Sequence, residues 1–167
     1  MHKKKIMLTV VLGILLILVY TMIFSFSSES AEESSKASRA VMDFLLTIYD
    51  KLFGTGTEIS VVDEEGFPLE KIIRKTAHFA EYTAVGVLSF SIVALWVKKL
   101  KRGAGIVVVQ LLLSAIADEL HQYFVPGRYA SITDVVIDTV GGMVGILSVF
   151  MIIIIRNKNK KQSLQKE

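Results

Sequence analysis

The sequence predicts an all-α integral membrane protein with four transmembrane helices, N- and C-termini cytoplasmic, and an extracytoplasmic amphipathic helix between spans one and two. Three observations lead there. Apolar residues make up 52% of the 167 and are gathered into blocks, giving a mean hydropathy of +0.54. Four of those blocks reach the roughly 20 residues needed to cross a hydrocarbon core. Lys and Arg recur in short runs beside the blocks, which is how membrane topology is encoded.

The first span is expected at about residues 6–24. Its flank of Lys3, Lys4 and Lys5 resembles the start of a signal peptide, but the apolar run exceeds the roughly 7–15 residues of a signal-peptide core and favours an uncleaved anchor. The outer loop, 25–75, is acidic on balance and opens with Ser30 and Glu33 in capping-box spacing. Val41, Phe44, Leu45, Ile48, Tyr49, Leu52 and Phe53 then repeat every three or four residues, an amphipathic stripe closed by Gly54 and Gly56. Such a helix either lies on the outer membrane surface or packs over the bundle as a lid. Residues 55–68 read as a loop with a short extended stretch at 58–62. The remaining spans are expected at about 76–97, 104–125 and 132–155, and residues 1–167 form a single domain.

Four spans place Lys3–Lys5, the Lys98, Lys99, Lys101 and Arg102 loop, and the Arg156–Lys166 tail on one side, which the positive-inside rule makes cytoplasmic. The net charge of +3 and pI near 9.1 therefore encode orientation and give no reason to expect nucleic acid. The absence of cysteine excludes disulfides, thiol chemistry and cysteine metal sites.

An ionisable residue within a span is costly unless paired or hydrated. Here such residues fall near the outer interface. On span two, Arg74, His78 and Glu81 share a face, with Tyr82 at its edge. On span three, Asp118 and Gln122 stack, flanked by Glu119 and His121. On span four, Asp134 and Asp138 share a face that Gly141 and Gly145 continue inward, a spacing that lets a second helix approach closely.

Each residue also has a plainer role. Asp134 fits a helix cap with Ser131, Lys75 fits a snorkelling contact with headgroups, and Tyr123 fits an interfacial belt. Arg74 is expected in an ion pair, and Arg128 follows a Pro126-Gly127 turn. Arg74, Lys75 and Arg128 face Glu81, Asp118, Glu119, Asp134 and Asp138, leaving a formal −2 with histidines neutral. That surplus suits a cation or acid–base work with candidates His78, Glu81, Asp118 and Glu119. It also suits a set of ion pairs that clasps the helices together.

The motifs in the chain narrow the chemistry. His78-x-x-Glu81 is the only hint of metal-ligand spacing beside Asp118, Glu119 and His121; there is no His-Glu-x-x-His pattern, so no metal and no cofactor are assigned. There is no Gly-x-Ser-x-Gly elbow and no phosphate-binding loop. Ser25, Ser27 and Ser28 end the first span with no base beside them in sequence. The balance leans away from an enzyme.

The string Arg74-Lys75-Thr76-Ala77-His78-Phe79-Ala80-Glu81-Tyr82 resembles the Arg-Lys-x-Ala-His-x-x-Glu-Tyr motif of VanZ-like membrane proteins. Asp118-Glu119-Leu120-His121-Gln122-Tyr123-Phe124, followed by Pro126-Gly127-Arg128 and Asp134, resembles that family's second motif, and residues 24–28 resemble the run that closes its first span. The chain departs at Asp138, where the family pattern has Asn. The resemblance covers about residues 6–150 and implies a multi-pass protein of the bacterial plasma membrane. It also implies an association with low-level resistance to teicoplanin, a lipid-tailed glycopeptide.

On this reading the bilayer is the first partner. Arg74, His78, Glu81, Tyr82, Asp118, Glu119, Gln122, Arg128, Asp134 and Asp138 are the candidate ligand-binding residues, for a lipid headgroup, a lipid-linked wall precursor or the drug. The rivals are an intramembrane hydrolase or transferase acting on lipid or lipid-linked wall material, and a structural or partner-binding membrane protein.

Overall fold

The computed structural model describes residues 2–54 and 69–165. The expected loop at 55–68, with its extended stretch at 58–62 and Gly56, lies outside the described residues. Five helices are described: α1 (His2–Ser27), α2 (Ala31–Phe53), α3 (Leu69–Trp96), α4 (Leu100–Tyr123) and α5 (Ile132–Leu164). Four of them, α1, α3, α4 and α5, are long and apolar enough to cross a membrane. The chain is a multi-pass membrane protein.

Three of the four spanning helices begin before their apolar blocks, and two end beyond them. α5 continues nine residues past the expected 155, through a tail of Lys, Asn and Gln. Hydropathy marks the part of a helix that lies in hydrocarbon; the helix itself goes on wherever backbone hydrogen bonding and straight-chain side chains allow.

Contacts between the helices fix their directions. Lys5 Nζ donates to Leu95 O (3.0 Å), and Trp96 Nε1 donates to Thr9 Oγ1 (2.9 Å), so α1 starts where α3 ends. Tyr20 and Ser114 are joined by a 2.8 Å hydroxyl bond, and Gln122 Nε2 donates to Ser27 Oγ (3.2 Å), so α1 and α4 end together. The spans alternate in direction. The starts of α3 and α5 and the ends of α1 and α4 therefore meet at one end of the bundle.

The apolar core contains Ile23, Tyr82, Val85, Phe90, Val107, Leu111, Ala115 and Ile146. Its tightest seam joins α3 to α5. A Cβ on Gly86 would stand 2.1 Å from the Gly142 carbonyl oxygen, and one on Gly145 would stand 2.2 Å from that of Thr83. Backbones pack this closely in lipid because association there rests on van der Waals contact and interhelical hydrogen bonds. One hydroxyl reaches across the seam: Thr83 Oγ1 lies 3.0 Å from Gly141 O and shares its single proton between that carbonyl and Phe79 O at 2.7 Å.

The capping box at Ser30 and Glu33 is present, and Gly54 closes α2 in the left-handed conformation at φ 60°. The helix docks through Ser34, Ser38 and Met42 near its start. The apolar stripe from Val41 to Phe53 stays exposed, with Phe44 at 64% and Leu52 at 71%. A lid packed by that stripe is not what forms; the small polar face is the one turned inward.

Candidate functional site

The polar residues of α3, α4 and α5 meet at the end of the bundle where α1 passes into α2. Helical spacing on each span aims them inward, and the α3–α5 seam holds the two helices close enough for their first turns to interact. Asp138 is 1% exposed, Glu119 and Gln122 are 4% exposed, and Asp118 is 8% exposed.

Glu119 turns toward α5, where its Oε2 accepts from the Ser131 backbone N–H at 2.7 Å. Ser131 in turn caps α5, its hydroxyl accepting from the Asp134 N–H at 3.3 Å. Asp134 thus contributes its amide to the cap while its carboxylate ion-pairs with Lys75. This corrects the expectation that Lys75 reaches for headgroups. The pair is about one-third exposed on both sides, so it orients α3 against α5 more than it stabilises them.

Arg128, which follows the Pro126-Gly127 turn, is more than a loop charge. Its guanidinium donates to Gln122 Oε1 (2.7 Å), to Phe26 O (3.2 Å) and to Glu29 O (3.5 Å), tying the α1–α2 junction to α4. Burial, with the Arg74 charge beside it, pulls the Arg128 guanidinium below its ordinary value. Gln122 relays this anchor, its Nε2 donating to Asp118 Oδ2 (2.8 Å).

Arg74, Lys75, His78, Glu119, Gln122, Arg128, Asp134 and Asp138 line a small cavity of about 10 Å³. His78, Asp118 and Asp138 each place one ligand-type atom within 4.8 Å of the other two. Glu81 lies beside His78, Oε2 to Nδ1 3.9 Å. Tyr82, 1% exposed, points away from this cavity toward α1 and α4.

There a second space opens, a groove of about 540 Å³ between α1 and α4. Ile17, Ile23, Phe24 and Ala117 form its apolar wall, and Tyr82, Asp118 and His121 stand at its polar end. Asp118 thus borders the groove and belongs to the inner cluster.

Ser28 was expected to lack a base. The structure sets its Oγ 3.1 Å from His121 Nε2, with the His121 ring stacked on Phe24 at 4.5 Å. The same Oγ is 2.6 Å from the Phe24 carbonyl oxygen, which can only accept. A hydroxyl has one proton, so Ser28 donates to Phe24 and accepts from His121. That is the reverse of what activates a serine nucleophile. No spacing along the chain signals this pairing, because the two residues are 93 positions apart.

A sequence model of the VanZ/LLP1 family matches residues 12–155. No curated protein and no solved structure matches the chain.

Proposed function

This chain belongs to the VanZ/LLP1 family, and from that premise we propose that it takes a lipid-tailed molecule from the outer leaflet of the bacterial plasma membrane. The observation that carries the proposal is the α1–α4 groove, which has apolar walls and ends on Tyr82, Asp118 and His121. Its volume lies within the roughly 300–1,000 Å³ of small-molecule sites. An acyl tail fits along the apolar wall, and a headgroup then meets the polar end of the bundle. Asp118 at the groove's end suits a cationic group, and beyond it Arg74, on the neighbouring small cavity, suits phosphate.

Orientation follows the positive-inside rule. The Lys3–Lys5 run, the Lys98–Arg102 loop and the tail after Ile155 all lie at the end of the bundle opposite the groove's polar end. The polar end therefore faces outward, where a lipid-linked wall precursor or a lipid-tailed glycopeptide is met. Binding the tail lowers the amount of such a drug that reaches its target, which yields low-level resistance without a reaction.

The test is expression in a glycopeptide-sensitive host, with membrane abundance measured in parallel. The wild-type chain raises the inhibitory concentration of teicoplanin and leaves that of a glycopeptide without a lipid tail unchanged. Ala117→Trp, which fills the groove, abolishes the rise at equal abundance. Full protection by Ala117→Trp, or equal protection against both drugs, refutes the proposal.

A further inference from the structure

We propose that His78, Asp118 and Asp138 form a binding site for a divalent transition-metal ion, one ligand from each of α3, α4 and α5. Their ligand-type atoms lie within 4.8 Å of one another, although 40 residues separate the first two and 20 the last two. Metal–ligand bonds of about 2.0–2.2 Å place opposed ligand atoms up to ~4.3 Å apart. Small side-chain torsions therefore close the triad onto an ion.

Asp138 supplies the independent sign of a missing partner. It is 1% exposed, and neither carboxylate oxygen has a hydrogen-bond partner among the described residues. Its position on the glycine seam of α5 allows it no retreat to water, since Gly141 and Gly145 press α5 onto the backbone of α3. A buried carboxylate left without compensation is among the most costly features a fold can carry. The cavity that His78 and Asp138 line, about 10 Å³, accommodates a single small occupant. The cavity's own lining is balanced, Glu119, Asp134 and Asp138 against Arg74, Lys75 and Arg128; Glu81 and Asp118 beside it bring the cluster to a formal −2, which one divalent ion cancels.

The surroundings are built as metal sites are built. Gln122 fixes Asp118 through its Oδ2 at 2.8 Å and is itself fixed by Arg128 at 2.7 Å. Glu81 Oε2 stands 3.9 Å from His78 Nδ1, beyond hydrogen-bond reach but within ion-pair distance, where a small torsion would let it orient the imidazole. One imidazole and two carboxylates favour zinc or manganese over magnesium or calcium, which take oxygen ligands alone. Three protein ligands leave a coordination position open. Asp118 borders the groove, so that position is available to an anionic group of whatever occupies it. The site stands on the triad and does not depend on the occupant being a lipid.

The experiment uses the full chain in detergent, stripped with chelator and then titrated with Mn²⁺ by electron paramagnetic resonance and with Zn²⁺ by metal analysis after desalting. The wild-type chain binds about one ion and melts at a higher temperature with Zn²⁺, because binding to the folded state alone stabilises it. Ca²⁺ gives no such shift. Asp138→Asn and His78→Gln each weaken binding by more than about tenfold and lose the Zn²⁺ shift, whereas Asp43→Asn, on the exposed face of α2, retains both. Asp138→Asn removes the uncompensated charge, so its metal-free melting temperature equals or exceeds that of the metal-free wild type, which separates lost binding from lost folding. Substoichiometric metal in the wild type, or equal binding by the wild type, Asp138→Asn and His78→Gln, overturns the site in favour of two carboxylates sharing a proton.

Discussion

The α3–α5 and α1–α4 interfaces are built on opposite terms. Between α3 and α5 the backbones touch, with glycines on both sides and a hydroxyl bonded to the carbonyl opposite. Between α1 and α4 the helices are joined by a few polar side chains, and the space beside them is a groove of about 540 Å³. The first interface has no room to change and presents His78 and Asp138 in fixed register. The second is open along the groove, with α1 seated in the core through Ile23. A membrane protein that must hold charged groups still while admitting a bulky apolar guest needs both kinds of contact. Asp118, on α4, is where they meet.

The largest expected effect comes from attacking the fixed seam. Gly145→Ala puts a methyl group 2.2 Å from Thr83 O and 2.7 Å from Val87 N, both backbone atoms that cannot swing aside. The helices must separate, at about 1–3 kcal/mol for one methyl group, and Gly145→Leu should abolish the folded protein. Gly105→Ala is the control. A Cβ there meets nothing within 4 Å, so the change should be neutral or stabilising by up to ~1 kcal/mol through helix propensity. Melting curves of both alanine variants in detergent check the contrast; similar behaviour would show that the α3–α5 backbones are not in close contact.

A smaller effect is expected where α1 is pinned to α4. Gln110 Nε2 donates to Tyr20 OH at 2.6 Å, and Tyr20 OH shares a 2.8 Å bond with Ser114 Oγ. Tyr20→Phe deletes both bonds and leaves two polar groups facing hydrocarbon, a loss of about 1–2 kcal/mol. The loss should appear as looser α1 and not as global unfolding. A spin-label pair on α1 and α4 reads this as a broadened distance distribution, while the same pair on α3 and α5 stays narrow. Broadening at both would show the bundle moving as one body.

How much of this was readable from residues alone follows the range of each interaction. The four spans, the cap at Ser30 and Glu33, and the Gly54 terminus depend on neighbours within a few turns, and the structure has them. The inward face of α5 was also legible, since Asp138, Gly141 and Gly145 lie at helical spacing, and all three are buried. The triad was not. Spacing along one helix pairs His78 with Glu81, whereas the structure groups His78 with residues 40 and 60 positions on. Which of Asp118, Glu119 and His121 faces that group depends on how far α4 is rotated against α3 and α5, and a 100° step per residue decides it. Lys75 with Asp134, Ser28 with His121 and Arg128 with the α1–α2 carbonyls were hidden for the same reason. The exposed α2 stripe was visible as a pattern, but not the fact that Ser34, Ser38 and Met42 do the docking.

The smallest effect lies at the tether that limits how far α1 can swing. The turn after α1 is held by Arg128 on Phe26 O and Glu29 O, by the Ala31 N–H on Pro126 O at 3.3 Å, and by the Ser30 cap of α2. Glu33 closes that cap: its Oε2 accepts from the Ser30 hydroxyl at 2.7 Å and from the Ser30 N–H at 2.9 Å. These two bonds, the hydroxyl first, hold the Glu33 carboxyl below its ordinary value of 4.5. A carboxyl depressed by folding contributes stability that is fully present above the unfolded value and is lost as pH falls through the folded one. Protection of the Ser30 amide from hydrogen exchange, measured against an unstructured reference, should therefore hold from neutral pH down to about 4.5 and decline below it. Glu33→Gln keeps an acceptor for Ser30 but cannot titrate, so its protection should be lower at neutral pH and flat through the acid range. A decline of equal size in Glu33→Gln would place the acid sensitivity elsewhere, and the tether would then owe its hold to Arg128 and the Pro126 carbonyl, leaving α1 as free in acid as at neutral pH.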